Sequence, residues 1–165
     1  MIAIGIFSKK NKNRSITLSL VDGIDGYSKE TLVSLTIDND KQCLTINARV
    51  FKNPPIHLML EQITGVQRIS KSNIIQKNKS TVGRAAVGGV LLGPLGAIVG
   101  GMSGIGDKHT TETKYYMVIN YKSQSRDVKV LSFKMVGFSN WPSFIKELKS
   151  KINTQHMEDT TEVYL

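Results

Sequence analysis

Cysteine is almost missing from this chain: Cys43 is the only one in 165 residues. No disulfide can close within it, which fits a reducing compartment. Histidine is nearly as scarce. His57, His109 and His156 show no ligand spacing with one another or with Cys43, so no metal is expected. A phosphate-binding loop is lacking too. Gly83 to Gly88 starts like one, but Gly89 and Val90 stand where Lys and Ser or Thr are required. Cys43 has no evident base beside it and reads as a structural thiol. Asp22, Asp25, Asp38 and Asp40 fall in turn-like stretches, where aspartate is common. These absences argue against an enzyme, and no cofactor is expected. A secretory leader is not expected either, because the apolar MIAIGIF precedes its basic residues. Ile2 stands where myristoylation would need glycine.

Acidic residues are absent over one long stretch, from Glu61 to Asp107. Across the chain, 22 Lys and Arg outnumber 13 Asp and Glu, giving a net charge of +9. That balance favours an anionic partner: nucleic acid, lipid headgroups or an acidic protein. Residues 1–14 form an apolar and basic segment that reads as a first strand or a frayed end, or else as an interfacial anchor. In the anchor reading, Ile2, Ile4, Ile6 and Phe7 dip into lipid while Lys9, Lys10, Lys12 and Arg14 face headgroups.

Period-two alternation dominates what is present. Ile16, Leu18 and Leu20 alternate with Ser15, Thr17 and Ser19, and Val33, Leu35 and Ile37 repeat the pattern. Asp38 to Lys41 makes a turn before Leu44, Ile46, Ala48 and Val50. This predicts an antiparallel meander with one face buried. Ile56, Leu58 and Leu60 resume after Pro54-Pro55, Gly65 marks a bulge or turn, and a weaker strand is predicted near Asn73–Lys77. TKYYMVINY (113–121) and DVKVLSFKM (127–135) predict a hairpin. Trp141, Phe144, Ile145, Leu148 and Ile152 then recur on one helical stripe, capped by Ser139 or Asn140 and started by Pro142. Six or seven strands followed by one amphipathic helix fit a short barrel or sandwich plugged by that helix. The alternative is an open α+β sheet with the helix on one face. A single domain over 15–153 is expected, with a flexible tail over 154–165.

Between Arg84 and Asp107 lies the one long uncharged run, residues 85–106, in which eight positions are glycine. Small residues recur every fourth place at Ala85, Gly89, Gly93, Ala97 and Gly101, and again at Gly96, Gly100 and Gly104. That spacing lets two helix backbones approach closely. Pro94 breaks a straight helix, so two short helices folded together are predicted over 82–106. Each glycine costs an exposed helix roughly 1 kcal/mol, so something must hold the segment. A membrane span would separate the strands on either side, whereas a re-entrant hairpin keeps the domain whole. Val90, Leu91, Leu92, Leu95, Ile98, Val99 and Met102 would supply apolar contact. Gly89, Gly93, Gly96, Gly100, Gly101 and Gly104 would allow close packing. Arg68, Lys71, Lys77, Lys79, Arg84 and Lys108 would form a basic collar toward anionic headgroups. Self-association of hairpins and packing of the hairpin on its own barrel are the alternatives.

GRAAVGGVLLGPLGAIVGGMSGIG, followed by a two-strand hairpin and a W-x-x-F-I-x-x-L helix, resembles small pleckstrin-homology-like (PH-like) proteins of Gram-positive bacteria and phages that carry a glycine-zipper insert. The resemblance covers about residues 55–153 and is strongest over 83–106. It implies a bacterial or phage origin and an intracellular, membrane-proximal location at the inner leaflet. The family carries no settled activity. Some relatives have an N-terminal zinc ribbon, for which this chain lacks the cysteines. The expected fold is therefore α+β and mostly β: a PH-like antiparallel barrel or sandwich with a C-terminal amphipathic helix and an inserted glycine-rich helical hairpin. The expected function is a non-enzymatic module that associates with an anionic membrane surface or a partner protein, or forms a homo-oligomer through the hairpin. The rival is nucleic-acid binding through Lys9–Arg14, with Tyr115, Tyr116, Tyr121 and Phe133 stacking on bases. It ranks lower because it leaves the uncharged run unexplained.

Overall fold

Alternation of apolar and polar residues builds the first four strands. The computed structural model describes residues 13–50, 53–80, 86–87, 90–95, 113–137 and 140–158. β1 (Arg14–Asp22), β2 (Leu32–Asp38), β3 (Cys43–Ala48) and β4 (Ile56–Met59) form an antiparallel meander. Its register sets Ile16 opposite Leu35, and Leu35 opposite Ile46, so one face is apolar throughout. The β2–β3 turn forms because Asp38 Oδ1 accepts from the backbone N–H groups of Asp40, at 3.1 Å, and Lys41, at 3.0 Å.

A second meander follows: β5 (Ile63–Ser70), β8 (Tyr115–Lys122) and β9 (Val128–Met135). The register between β5 and β8 shifts at Ile63/Gly65, where the sequence predicts a bulge or turn. β9 also pairs with β1, which joins both meanders in one seven-stranded sheet, ordered β4-β3-β2-β1-β9-β8-β5. A 3-10 turn, Leu60–Gln62, runs from one edge strand straight into the other. The sheet therefore curves around a single core, to which all seven strands contribute.

The C-terminal helix α2 (Trp141–Glu158) covers that core. Phe144, Ile145, Leu148 and Ile152 are buried in it, and Trp141 packs at its margin. The Phe144 N–H donates to the Asn140 carbonyl at 3.2 Å, which starts the helix. Arg14 Nε meets Glu147 Oε2 at 2.6 Å, and Lys149 Nζ donates to Gln67 Oε1 at 3.2 Å, so the polar edge of α2 is tied to β1 and β5. The helical backbone runs to Glu158, beyond the domain boundary expected at residue 153.

Three expectations fail in the stretch between β5 and β8. Residues 71–80 form helix α1 (Lys71–Ser80) where a weak strand is predicted at 73–77. The Asn73 N–H donates to Ser70 Oγ at 3.2 Å, a side-chain cap that the alternation pattern conceals. Ala86–Val87 and Val90–Leu91 form a two-stranded ribbon, β6 and β7, instead of a limb of a helical hairpin. The third failure concerns what this ribbon touches, and it defines the candidate site.

The Phe144 ring is fully buried between α2 and the sheet. Phe144→Ala is expected to cost about 3–5 kcal/mol, the usual range for an emptied core aromatic site. Chemical denaturation of the variant against the parent chain checks this.

Candidate functional site

β8 is apolar on both faces. Met117 and Ile119 point into the main core, while Tyr116 and Val118 belong to a second buried cluster on the outside of the sheet. Val21, Ile69, Ile74, Val90, Leu92 and Leu95 complete that cluster, with Ile75 and Val130 at its margin. A strand buried on both faces needs a cover on each. Here α1 and the start of the glycine-rich segment supply the outer one. Ile74, Leu92 and Leu95 are fully buried and Val90 is nearly so.

The neck of the insert is closed by a backbone bond, in which the Lys71 N–H donates to the Lys114 carbonyl at 2.9 Å. From there the chain crosses the outer face and is held by one side chain. Asn120 Nδ2 donates to the Leu91 carbonyl at 2.8 Å, and the Leu91 N–H donates to Asn120 Oδ1 at 2.6 Å. The amide thus pairs with Leu91 as a neighbouring strand would. Asn120 is only 4% exposed, so losing either bond would strand a buried polar group. Gly65 lets the ribbon approach, since a Cβ there would lie 3.0 Å from Val90 Cγ2. Gly93 turns the chain at φ +54°, and a Cβ on it would lie 3.0 Å from Val130 Cβ. A Leu95 N–H to Leu92 carbonyl bond of 3.2 Å closes that turn.

The residues expected to face lipid or another hairpin are therefore divided. Val90, Leu92 and Leu95 are buried against the chain's own sheet, and Leu91 is half-buried beside them. Gly93 serves a turn against Val130 and not a helix–helix contact. Packing on the own barrel, one of the alternatives weighed above, holds for this limb because β8 and β9 offer it an apolar face and a paired amide. Gly89, Gly96, Ile98, Val99, Gly100, Gly101, Met102 and Gly104 lie outside the described residues, as do Arg84 and Lys108.

The basic collar is divided as well. The exposed Arg68 guanidinium sits 4.6 Å from the centre of the Tyr115 ring and 5.5 Å from that of Trp141, and the two rings are 6.0 Å apart. This cation–π cluster joins β5, β8 and the start of α2 beside the neck. Lys71 is half-buried at the neck, and Lys77 and Lys79 ride on α1. The aromatic residues proposed to stack on bases are engaged elsewhere: Phe133 and Tyr116 are buried, Tyr115 packs with Trp141, and Tyr121 is half-buried against the main core.

A cavity of about 650 Å³ opens at the end of the barrel away from α1. Ile46, Ile56, Leu58, Tyr121 and Leu131 form its apolar lining, with Asp25, His57, Gln62 and Lys129 among its polar groups. One lysine against one aspartate is no cradle for a multiply charged phosphate. A second depression, of about 410 Å³, is shared by Gly93 and Pro94 with the β1–β2 turn and the start of β9. The insert therefore reaches the same end of the barrel as that cavity. No helix among the described residues is long and apolar enough to cross a membrane.

Asn120 escapes sequence reasoning because a single asparagine on an outward strand position is unremarkable. The signal within reach is YYMVINY itself, whose apolar residues fill both faces of a strand. A family model described as glycine zipper containing PH domain matches residues 8–135. No curated protein matches the chain.

Asn120→Ala is expected to destabilise docking of the ribbon by about 1–3 kcal/mol, the cost of unpaired buried groups. Hydrogen exchange followed by mass spectrometry should then show faster exchange over residues 86–95, with protection of β1–β3 retained.

Proposed function

From the membership of this chain in the family of glycine-zipper-containing PH domains, we propose that it is a non-enzymatic binding module that presents an apolar, glycine-rich tip to an anionic membrane surface at the inner leaflet. The observation that carries this reading is the path of the insert. Its first limb is spent on the outer face of the sheet and passes, at Gly93 and Pro94, beside the β1–β2 turn and the start of β9. Residues 96–106, which follow in the chain, are uncharged throughout.

The surroundings support the same orientation. Val128 is 48% exposed at the start of β9, and Val50 is 73% exposed after β3. Leu32, 41% exposed, begins β2, and its carbonyl accepts from the Arg49 N–H at 2.9 Å. Three large apolar side chains thus sit on the loops and strand ends around the mouth of the barrel. Arg49, Arg126 and Lys129 are exposed in the same loops and strand ends. Basic residues near a negatively charged leaflet contribute about 1 kcal/mol each, and the apolar tip adds the cost of removing its surface from water. Gly96, Gly100, Gly101 and Gly104 would let two such tips pack together, so membrane binding and self-association draw on the same residues.

The test is flotation with liposomes of graded anionic content, comparing the full chain with one in which residues 96–106 are replaced by a Gly/Ser linker. Residues 86–95 stay, because they belong to the fold. The full chain is expected to float on anionic vesicles, less so in high salt, and the linker variant to lose about tenfold or more in partitioning. Equal flotation of both chains would remove the tip from the mechanism. No flotation, with oligomers formed by the full chain alone, would assign the tip to assembly.

A further inference from the structure

Two strands face each other across a seam in the barrel wall. β4 ends the sheet on its side and pairs only with β3. In an antiparallel ladder, successive residues turn their N–H and C=O groups alternately toward the partner and away from it. The Leu60 N–H donates to the Gln42 carbonyl at 3.0 Å, so Leu58 and Ile56 also face β3. His57 and Met59 therefore turn their backbone groups to the free edge. The same count holds on β8. The Ser123 N–H donates to the Asp127 carbonyl at 2.9 Å, so Tyr121 faces β9 and Lys122 faces the seam.

Gln62 bridges the seam with one amide. Its Oε1 accepts from the Met59 N–H at 3.2 Å, and its Nε2 donates to the Lys122 carbonyl at 3.2 Å. Beside this bridge the seam opens into the cavity of about 650 Å³. His57 lines it and is exposed, and no strand among the described residues pairs with its outward backbone groups. Ile24, Ile56, Leu58 and Tyr121 give the cavity apolar walls. The seam thus offers both the backbone partners and the apolar lining that a further strand needs.

We propose that residues 2–7 of this same chain, IAIGIF, fill the seam as an eighth strand, parallel to β4 and antiparallel to β8. Their pattern suits it. Ile2, Ile4 and Ile6 share one face, which enters the cavity, and Ala3, Gly5 and Phe7 share the other. The chain also starts in the right place. The Asn39 N–H donates to Asn13 Oδ1 at 3.1 Å, which holds Asn13 beside the β2–β3 turn. Gln42, at the far end of that turn, bonds Leu60 at the end of β4. The steps from Phe7 to Asn13 reach about 20 Å, and a strand beyond β4 lies four spacings from β1, about 19 Å. Curvature of the sheet shortens that path. A chain arriving from the turn leaves Ile2 nearest the mouth, which gives the parallel sense to β4.

Charge favours the same route. Lys9, Lys10 and Lys12 would cross the β2–β3 turn and the 3-10 turn. Asp40 and Glu61 are exposed there, and neither is ion-paired among the described residues. Seated so, the strand gives partners to the His57 N–H and C=O and to the Lys122 N–H. It also covers an edge otherwise open to pairing with other chains. The inference rests on the barrel and its seam and is independent of the membrane reading.

Paramagnetic broadening in the full chain tests it. A nitroxide is placed at Ala3→Cys, on the outward face, with Cys43→Ala so that only one thiol remains. Amide signals of residues 56–58 and 122–125 are expected to lose half their intensity or more, while those of α1 keep theirs. Intensity retained at 56–58 and 122–125 would overturn the proposal. In an equimolar mixture of isotope-labelled chain without nitroxide and unlabelled chain with it, no such loss is expected. Loss there would give the strand to a second copy and overturn the seat within one chain. Ile2, Ile4 and Ile6 all changed to Ser should also speed hydrogen exchange at the His57 amide about fivefold or more, the worth of one hydrogen bond. An unchanged rate would count equally against the strand.

Discussion

The two-sided burial of β8 is the constraint from which the rest of the architecture follows. Met117 and Ile119 need the barrel and its helix, while Tyr116 and Val118 need something outside the sheet. The connection between β5 and β8 meets that need with its own first part. Ile74 from α1 and Val90, Leu92 and Leu95 from the glycine-rich segment close the outer cluster. The insert is thereby part of the domain's fold, and removing it whole would expose an apolar sheet face.

Asn120 shows how a polar side chain can make such docking specific. Apolar contact alone fixes neither register nor direction. A primary amide offers a donor and an acceptor side by side, and Leu91 presents the complementary pair. The two bonds fix which residue of the ribbon lies over β8, and hence where Gly93 turns.

The charge pattern changes meaning in the same way. The collar that reads as uniform along the chain separates in space into an arginine held over two rings, a lysine at the neck and lysines carried on α1. Arg68 contributes to the cohesion of β5, β8 and α2 as well as to the surface potential. Along the chain, the stretch without acids still flanks the insert with positive charge, the feature from which the proposed anionic surface is argued.

Much of this was legible in the amino-acid order. Period-two alternation determined β1, β2, β3, β4 and β9, because a half-buried strand has no other way to sort its side chains. The stripe from Trp141 to Ile152 determined an amphipathic helix for the same kind of reason, at a different period. Gly65 announced a break in the ladder, although not that Val90 would press against it. Tertiary structure alone decided the rest. A glycine-rich run has no strong conformational preference of its own, so over its described part, residues 86–87 and 90–95, the helical spacing was overruled by an apolar face and an amide far away in sequence. The short α1 was decided by the Ser70 cap and the burial of Ile74. The neighbourhood of Cys43 and His57, fourteen residues apart along the chain, exists only through the register of two strands. Periodicity is a property of one segment at a time, whereas these contacts belong to pairs of segments and arise only when the chain is folded.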